Sequence, residues 1–347
     1  MHIAQVAPLH ESVPPKQYGG TERVVSYLTE ELMRQGHEVT LFASGDSETE
    51  AELVPACDRS LRLDEKAVDP LAPQVLMLEE VYRRADAFDV IHFHIDYLHY
   101  PVSRRQDTPH VTTLHGRLDL PALEPLYQEY SDMPVVSISN AQRAPLGEAR
   151  WQSTVYHGLP LDLYTFQPDP DGYFAFLGRI SPEKRVDRAI EIAKAVGVPL
   201  KIAAKVDPVD QAYFADEIAP LLDDPLVDYL GEIEERKKEA FLGGAAALLF
   251  PIDWPEPFGL VMIEALACGT PVVAYRHGSV AEVLADERVG GVVSDFDEAV
   301  RAARQVERID RRDCRAYFEK RFSVRRMARD YLSVYEQLVP APLQTTV

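Results

Sequence analysis

"YFAFLGRISPEKRVDRAIEIAKAVGVPLKIAAKV", residues 173–206, decides the fold class. "YFAFLGRI" is an apolar run of strand length that ends in a charge. "PEKRVDRAIEIAKAVG" follows, with Val186, Ala189, Ile190 and Ala193 at the spacing of one helix face and a glycine at its end. "PLKIAAKV" is apolar again and of strand length. Strand, helix and strand in 34 residues make a βαβ unit, whose two strands must run parallel with the helix as crossover.

Outward from this unit the same alternation runs in both directions. "VDYLGEI", "AALLFPI", "PVVAY" and "VGGVV" read as later strands, and helical segments are expected near 297–306, 311–320 and 323–338. Upstream, "HIAQVAP" opens the chain as a strand, and a loop ending in "YGGTE" leads into a helix from Thr21, read as its N-cap, to Gln35, with Gly36 as the stop. "EVTLFAS", "DVIHFH", "HVTTLH", "PVVSIS" and "STVYH" complete the first half as strands. Between the halves, "GLPLDLYTFQPDPDG" is rich in proline and aspartate and breaks the periodicity. The fold class is therefore α/β, two tandem Rossmann-like domains with a ligand cleft expected at the carboxyl ends of their strands. The boundaries are 1–160, a linker over 161–172, 173–323, and a C-terminal helix and tail over 324–347. That last helix is expected to pack back towards the first domain, and the tail after it to fray.

Composition narrows the function classes. The 347 residues exceed what one hydrophobic core usually serves, and 46% hydrophobic with 27% charged residues is ordinary for a soluble protein. A net charge of −20 and the lack of a long basic run argue against nucleic acid as a main partner. No apolar run is long enough to span a bilayer, although surface contact with a membrane is left open. Cys57, Cys268 and Cys314 are odd in number and widely spaced, and "MHIAQVAPLH" has no basic leader, so a cytoplasmic location is expected.

Two stretches carry chemistry. In "LGRISPEK", Arg179 leaves a strand and Lys184 is placed in the first helical turn, so both could offer positive charge to a phosphate pair. The blander reading makes them surface cations paired with acids. In "WPEPFGLVMIEALACGTPVVA", residues 254–274, a helix beginning near Gly259 would present free N–H groups to an anion, and Gly269 with Pro271 would end it. Glu264 lies within apolar neighbours from Leu260 to Ala267, where an unpartnered carboxylate is costly. Eight residues of helix would separate Glu256 from Glu264 by about 12 Å, a span suited to two hydroxylated rings flanking a diphosphate.

These motifs and their order resemble the retaining nucleotide-sugar glycosyltransferases of family 4, with the GT-B fold. "EPFGLVMIE" is similar to the family's E-x7-E signature, and "GRISPEK" to its Gly-Arg…Glu-Lys element. "YGGTE", "TLHG", "SISN" and "VYHGLP" resemble further elements in the right order. Three places depart from the pattern: Arg185 and Ser279 stand where glycine is frequent, and Ala204-Lys205 replaces a glycine-containing strand end.

The resemblance implies a retaining hexosyltransferase that takes a nucleoside diphosphate sugar as donor and a hydroxyl as acceptor, with no metal and no further cofactor. It assigns Arg179 and Lys184 to the diphosphate, Glu264 to the ribose, and Glu256 to a hydroxyl of the transferred sugar. Phe258, Gly259 and Leu260 would supply backbone donors, Gly19 and Gly20 would let the first loop approach the phosphates, Ile233 would lie by the base, and His115 beside the sugar. "DPD" at 169–171 reads as linker composition rather than a metal motif.

Two alternatives come from other classes. His92, His94 and Asp96 alternate along one strand and, with His110 and His115, could open a metal-dependent hydrolase site. The chain could also bind a sugar nucleotide without turning it over. Acceptor, base, sugar and oligomeric state are not readable from the sequence.

Overall fold

The computed structural model describes residues 1–16, 19–64 and 68–339, so Tyr18 of "YGGTE" and the tail expected to fray lie outside the described residues. The chain forms two compact units, residues 1–160 with 324–347, and residues 161–323.

The first unit is built on β1 (His2–Val6), β2 (Glu38–Ala43), β3 (Glu52–Pro55), β4 (Val90–Phe93), β5 (His110–Thr113), β6 (Pro134–Ser137) and β7 (Arg150–Thr154). They form one seven-stranded parallel sheet in the order β3-β2-β1-β4-β5-β6-β7. Its helices are α1 (Gly20–Arg34), α2 (Leu71–Arg83), α3 (Tyr100–Ser103), α4 (Leu123–Glu129) and α5 (Asn140–Arg143). Helix α1 starts one residue before Thr21, with Gly19 at the N-cap and no side-chain cap, so the threonine is inside the first turn and does not cap it. "STVYH" is a strand only as far as Thr154, which pairs with Ser137 at the end of β6, and the strand starts earlier, at Arg150. Strand β3 and helix α2 were not anticipated.

The second unit repeats the plan with β8 (Tyr173–Arg179), β9 (Leu200–Lys205), β10 (Val227–Gly231), β11 (Ala245–Phe250), β12 (Val272–Tyr275) and β13 (Gly290–Val293). The six strands are parallel in the order β10-β9-β8-β11-β12-β13. Helices α6 (Val186–Val196), α7 (Gln211–Tyr213), α8 (Glu235–Gly243), α9 (Leu260–Cys268), α10 (Val280–Val283), α11 (Phe296–Gln305) and α12 (Arg311–Arg321) surround the sheet. Its core is the expected one: Val186, Ala189, Ile190 and Ala193 of α6 pack with Phe174, Phe176, Ile202 and Leu249 of the sheet.

Residues 161–172 are held on this second unit. Gln167 N–H donates to the Cys268 carbonyl, Asp171 N–H to Gly244, and the Arg311 guanidinium to the Gln167, Ala245 and Gly243 carbonyls. Helix α13 (Val324–Leu338) belongs to the first unit, where it packs against α1 and buries Tyr331 and Tyr335. No helix among the described residues is long and apolar enough to cross a membrane.

Candidate active site

Strand β8 has β9 on one side and β11 on the other, so the connections leaving β8 and β11 diverge to opposite sides of the sheet. Such a switch point leaves a crevice at the carboxyl edge, where ligands of doubly wound sheets bind. The loops after β8 and β11 are laced together there. Asp253 N–H donates to the Glu183 carbonyl (2.8 Å), and the Lys184 ammonium reaches the Glu256 carboxylate at 2.5 Å. Arg185 reaches Asp253 at 3.2 Å.

Lys184 is not in a helix. Its N–H closes a turn onto the Ser181 carbonyl (3.0 Å), Arg185 adopts a left-handed conformation (φ 53°), and α6 starts only at Val186. The left-handed residue stands where the family pattern has glycine, which takes that conformation freely, whereas a residue with a Cβ is strained by about 1–2 kcal/mol. The Lys184 ammonium also lies 4.6 Å from the Trp254 ring centroid, and the Trp254 indole N–H donates to the same Glu256 oxygen (3.0 Å). Charge, cation–π contact and hydrogen bond thus set one lysine–glutamate pair.

Arg179, at the end of β8, bonds Glu183 at 3.0 Å and Asp207 at 3.2 Å. Lys205, the last residue of β9, meets Asp207 at 2.6 Å. Lys205, and then Arg179, hold the Asp207 carboxyl below its ordinary pKa. The blander reading of Arg179 and Lys184 is correct to this extent: both are paired with acids. Both also sit at the carboxyl edge of the switch-point strands, and Lys205 adds a third cation that sequence reasoning missed.

Helix α9 begins at Leu260, with Gly259 left-handed at its N-cap (φ 79°) and Gly269 left-handed after it (φ 89°). Its residues are buried almost all round, and Glu264 is among them at 3% exposure. Its partner is Lys238 on α8, whose ammonium reaches the carboxylate at 3.2 Å and Glu235 at 3.0 Å. Ile233 is half-buried in the loop that leads from β10 into α8.

The loop carrying Glu256 and Phe258 is fixed from behind by Gly278 and Ser279. Ser279 donates its N–H to the Glu256 carbonyl (2.9 Å) and its hydroxyl to the Phe258 carbonyl (2.8 Å). Gly278, left-handed at φ 54°, lies against the backbone of Pro255 and Glu256. Sequence reading noted Ser279 only as a departure; the hydroxyl bond gives that departure a function.

In the first unit, Gly19 packs on Pro15 so closely that a Cβ would lie 2.7 Å from the proline Cβ, and Gly20 opens α1. His92 on β4, His94 and His115 just after β4 and β5, and His157 form a buried network. His92 bonds Tyr335 Oη and Thr113 Oγ1, both at 2.7 Å; His94 bonds Gln5 Oε1 at 2.8 Å and His115 Nε2 at 2.9 Å. His115 stacks on His157 with centroids 5.4 Å apart. Burial pushes His92, His94 and His157 well below the ordinary histidine pKa and His115 to about 3, so the rings are neutral.

The hydrolase alternative finds no support. Strand β4 ends at Phe93, so His94 lies beyond it and Asp96 is in a left-handed turn (φ 51°), not in strand alternation. Both ring nitrogens of His92 and of His94 are engaged by protein partners, and His110 Nδ1 faces the Thr108 carbonyl (3.3 Å). Among the described residues no group of three or more His, Cys, Asp or Glu is arranged to hold a metal.

Comparison with known proteins gives the family and the fold. The Glycosyltransferase Family 4 profile matches residues 18–151, and that of Glycosyl transferases group 1 matches residues 165–321. A phosphatidyl-myo-inositol mannosyltransferase of Mycobacterium leprae is 25% identical over 329 residues, 87% of this chain and 86% of its own. The crystal structure of AviGT4, a glycosyltransferase involved in avilamycin A biosynthesis, is also 25% identical. It has a TM-score of 0.75 and covers 97% of this chain and 98% of its own. Anabaena Alr3699/HepE, solved with UDP-glucose, shares the fold at 17% identity and TM-score 0.71, covering 97% of this chain and all of its own (100%). The chain is a glycosyltransferase: it belongs to family 4 and has the GT-B fold.

Proposed function

We propose that the protein transfers a hexose from a nucleoside diphosphate sugar to an acceptor hydroxyl, with retention at the anomeric carbon and without a divalent metal. The observation that carries this reading is the grouping of Arg179, Lys184 and Glu256 with the α9 N-terminus around the β8/β11 switch point. Departure of a nucleoside diphosphate leaves negative charge on its phosphate oxygens. Arg179 supplies a planar fork, Lys184 a point charge, and the first amides of α9 a dipole end, so charge stabilisation is available from fixed protein groups. Glu264 accepts from both hydroxyls of the ribose diol, and Glu256 from one hydroxyl of the transferred sugar. Phe258, Gly259 and Leu260 supply backbone donors beside them, and Ile233 lies by the base. From the first unit, His115 accepts from a sugar hydroxyl, and Gly19 and Gly20 leave backbone accessible to phosphate. Attack from the leaving group's side, with the diphosphate taking the acceptor proton, gives retention.

The acceptor does not carry over, because of two relatives at the same 25% identity one is a phosphatidyl-myo-inositol mannosyltransferase and the other a glycosyltransferase involved in avilamycin A biosynthesis. Thermal shift against a panel of nucleotides identifies the base, since a ligand of the folded state raises the melting point. Calorimetry then separates the two glutamates. Glu264→Ala should weaken free nucleotide and nucleotide sugar alike, whereas Glu256→Ala should weaken the nucleotide sugar more than the free nucleotide. Equal losses for both ligands in both variants refute the division. Turnover that persists in chelator and yields a product of unchanged anomeric configuration by NMR supports the mechanism. Tight binding with no turnover, hydrolysis included, would favour a silent binding protein.

A further inference from the structure

The buried network of the first unit has a proton order, and that order reaches His115. Gln5, the next-to-last residue of β1, has no exposure, and its register partner on β4 is His92. Its amide nitrogen donates to Tyr335 Oη at 3.2 Å, and its carbonyl oxygen faces His94 Nε2 at 2.8 Å. A carbonyl only accepts, so His94 carries its proton on Nε2. The neutral His94 ring then has a bare Nδ1, which accepts at 2.9 Å from His115 Nε2. The other branch closes consistently. Tyr335 accepts from Gln5 and is free to give its own proton to His92 Nδ1, which leaves His92 Nε2–H to donate to Thr113, whose hydroxyl is 2.9 Å from Tyr331 Oη. Each bond in both branches then has one donor and one acceptor, the condition under which a buried polar network specifies a single arrangement.

We infer that Gln5, acting through His94, holds His115 as its Nε2–H tautomer, so that the Nδ1 lone pair is the face offered to a hydroxyl of the transferred sugar. Gln5 and His94 are positioning residues in this arrangement, and α13 anchors them through Tyr335. The inference rests on the proposed placement of His115 beside the sugar, but the tautomer itself is a property of the protein without any ligand. Reversing the order would require the Gln5 amide to turn over, making His115 an Nδ1–H donor instead.

Two-bond ¹⁵N–¹H correlation on protein labelled at histidine nitrogens reads this directly. In the wild type, His115 should show a protonated Nε2 and a bare Nδ1; the opposite tautomer overturns the proposal. Gln5→Met removes the acceptor at His94 and should mix the His115 tautomers. Gln5→Glu keeps an acceptor there and should preserve them. Thermal melting checks that both variants fold, and if neither does, the wild-type spectrum decides alone. In the folded Gln5→Met variant, kcat/KM for the donor should fall by about tenfold through kcat, a fall restored by Gln5→Glu, with free-nucleotide affinity unchanged. Wild-type turnover in Gln5→Met overturns the link to the sugar. A protein with the expected spectrum and no glycosyl transfer at all would instead count against the proposed function.

Discussion

Replacing Gly278 by alanine should damage the donor side of the site from a residue that makes no contact with substrate in the proposed reading. A Cβ at Gly278 would lie 2.3 Å from the Glu256 carbonyl oxygen, 2.4 Å from its amide nitrogen and 2.7 Å from the Pro255 carbonyl carbon. These are backbone atoms, so no side-chain rotation relieves them. The loop must retreat by roughly 1 Å, the difference between 2.3 Å and the 3.4 Å at which ordinary contact begins. The left-handed backbone adds about 1–2 kcal/mol for a residue with a Cβ. The displaced segment carries the Glu256 carboxylate, and with it the partner that holds Lys184 at 2.5 Å. A misplacement of about 1 Å costs on the order of a hundredfold in rate. The variant should therefore lose about a hundredfold in kcat/KM for donor hydrolysis or transfer. Gly36→Ala is the control: its φ is +85° but nothing lies within 4 Å of the added Cβ, so it carries the strain alone and should keep wild-type turnover. Gly278→Ala turning over within about threefold of the wild type would refute the argument that this contact registers the loop.

Three further outcomes follow from the same geometry. Arg179→Ala and Lys184→Ala should each lower turnover by orders of magnitude while far-ultraviolet circular dichroism stays unchanged; near-wild-type rates would remove the phosphate clamp. Stability should fall as pH drops below about 6.5, because the unfolded chain takes up protons on His92, His94, His115 and His157 that the folded chain refuses. Each histidine contributes up to about 1.4 kcal/mol per pH unit, while Glu22, raised by burial, pulls the other way; urea midpoints that stay flat from about pH 7.5 to 5.5 would contradict a neutral network. Arg185→Gly should be more stable than Arg185→Ala by about 1 kcal/mol in chemical denaturation, since only glycine escapes the left-handed strain at φ 53°; equal stabilities would mean the loop relaxes around alanine.

The alternation that decides the fold was legible because it is local: a strand's apolar run and a helix face recur within a few residues, as at Val186, Ala189, Ile190 and Ala193. The elements that escaped reading lack that signature. Helix α2 buries Met77, Leu78 and Val81 but exposes Leu71, Val75 and Leu76, so its apolar residues mark no single face. Helix α8 is mostly charged, and β3 has four residues. The start of α6 was misplaced because "SPEKRVDR" reads as one helix from local propensity, whereas the lacing of Lys184 to Glu256 and Arg185 to Asp253 lies across the sheet. The same limit applies to the site. Glu264 announces a need for a partner, but Lys238 is 26 residues away in sequence, and Gly278 acquires its role only where β12 brings it against Glu256.

The pairing of the site's cations with acids bears on how a chain of net charge −20 could hold a diphosphate. Its overall field repels an anion, but that field is screened beyond about 8–10 Å at ordinary salt, so attraction has to be generated within the loops. Unpaired, Arg179 and Lys184 would each sample many rotamers, and ordering them on binding would cost up to about 2 kcal/mol apiece. Glu183, Asp207 and Glu256 hold them ordered beforehand, and the partly exposed pairs of Arg179 with Glu183 and Asp207 are worth only about 0–1 kcal/mol. Exchanging a carboxylate for a phosphate therefore loses little and gains a more highly charged partner, while the geometry is already set. On this view the acids are placeholders, and Glu256 differs from the other two because its second partner, in the proposed reading, is the sugar that arrives with the phosphate.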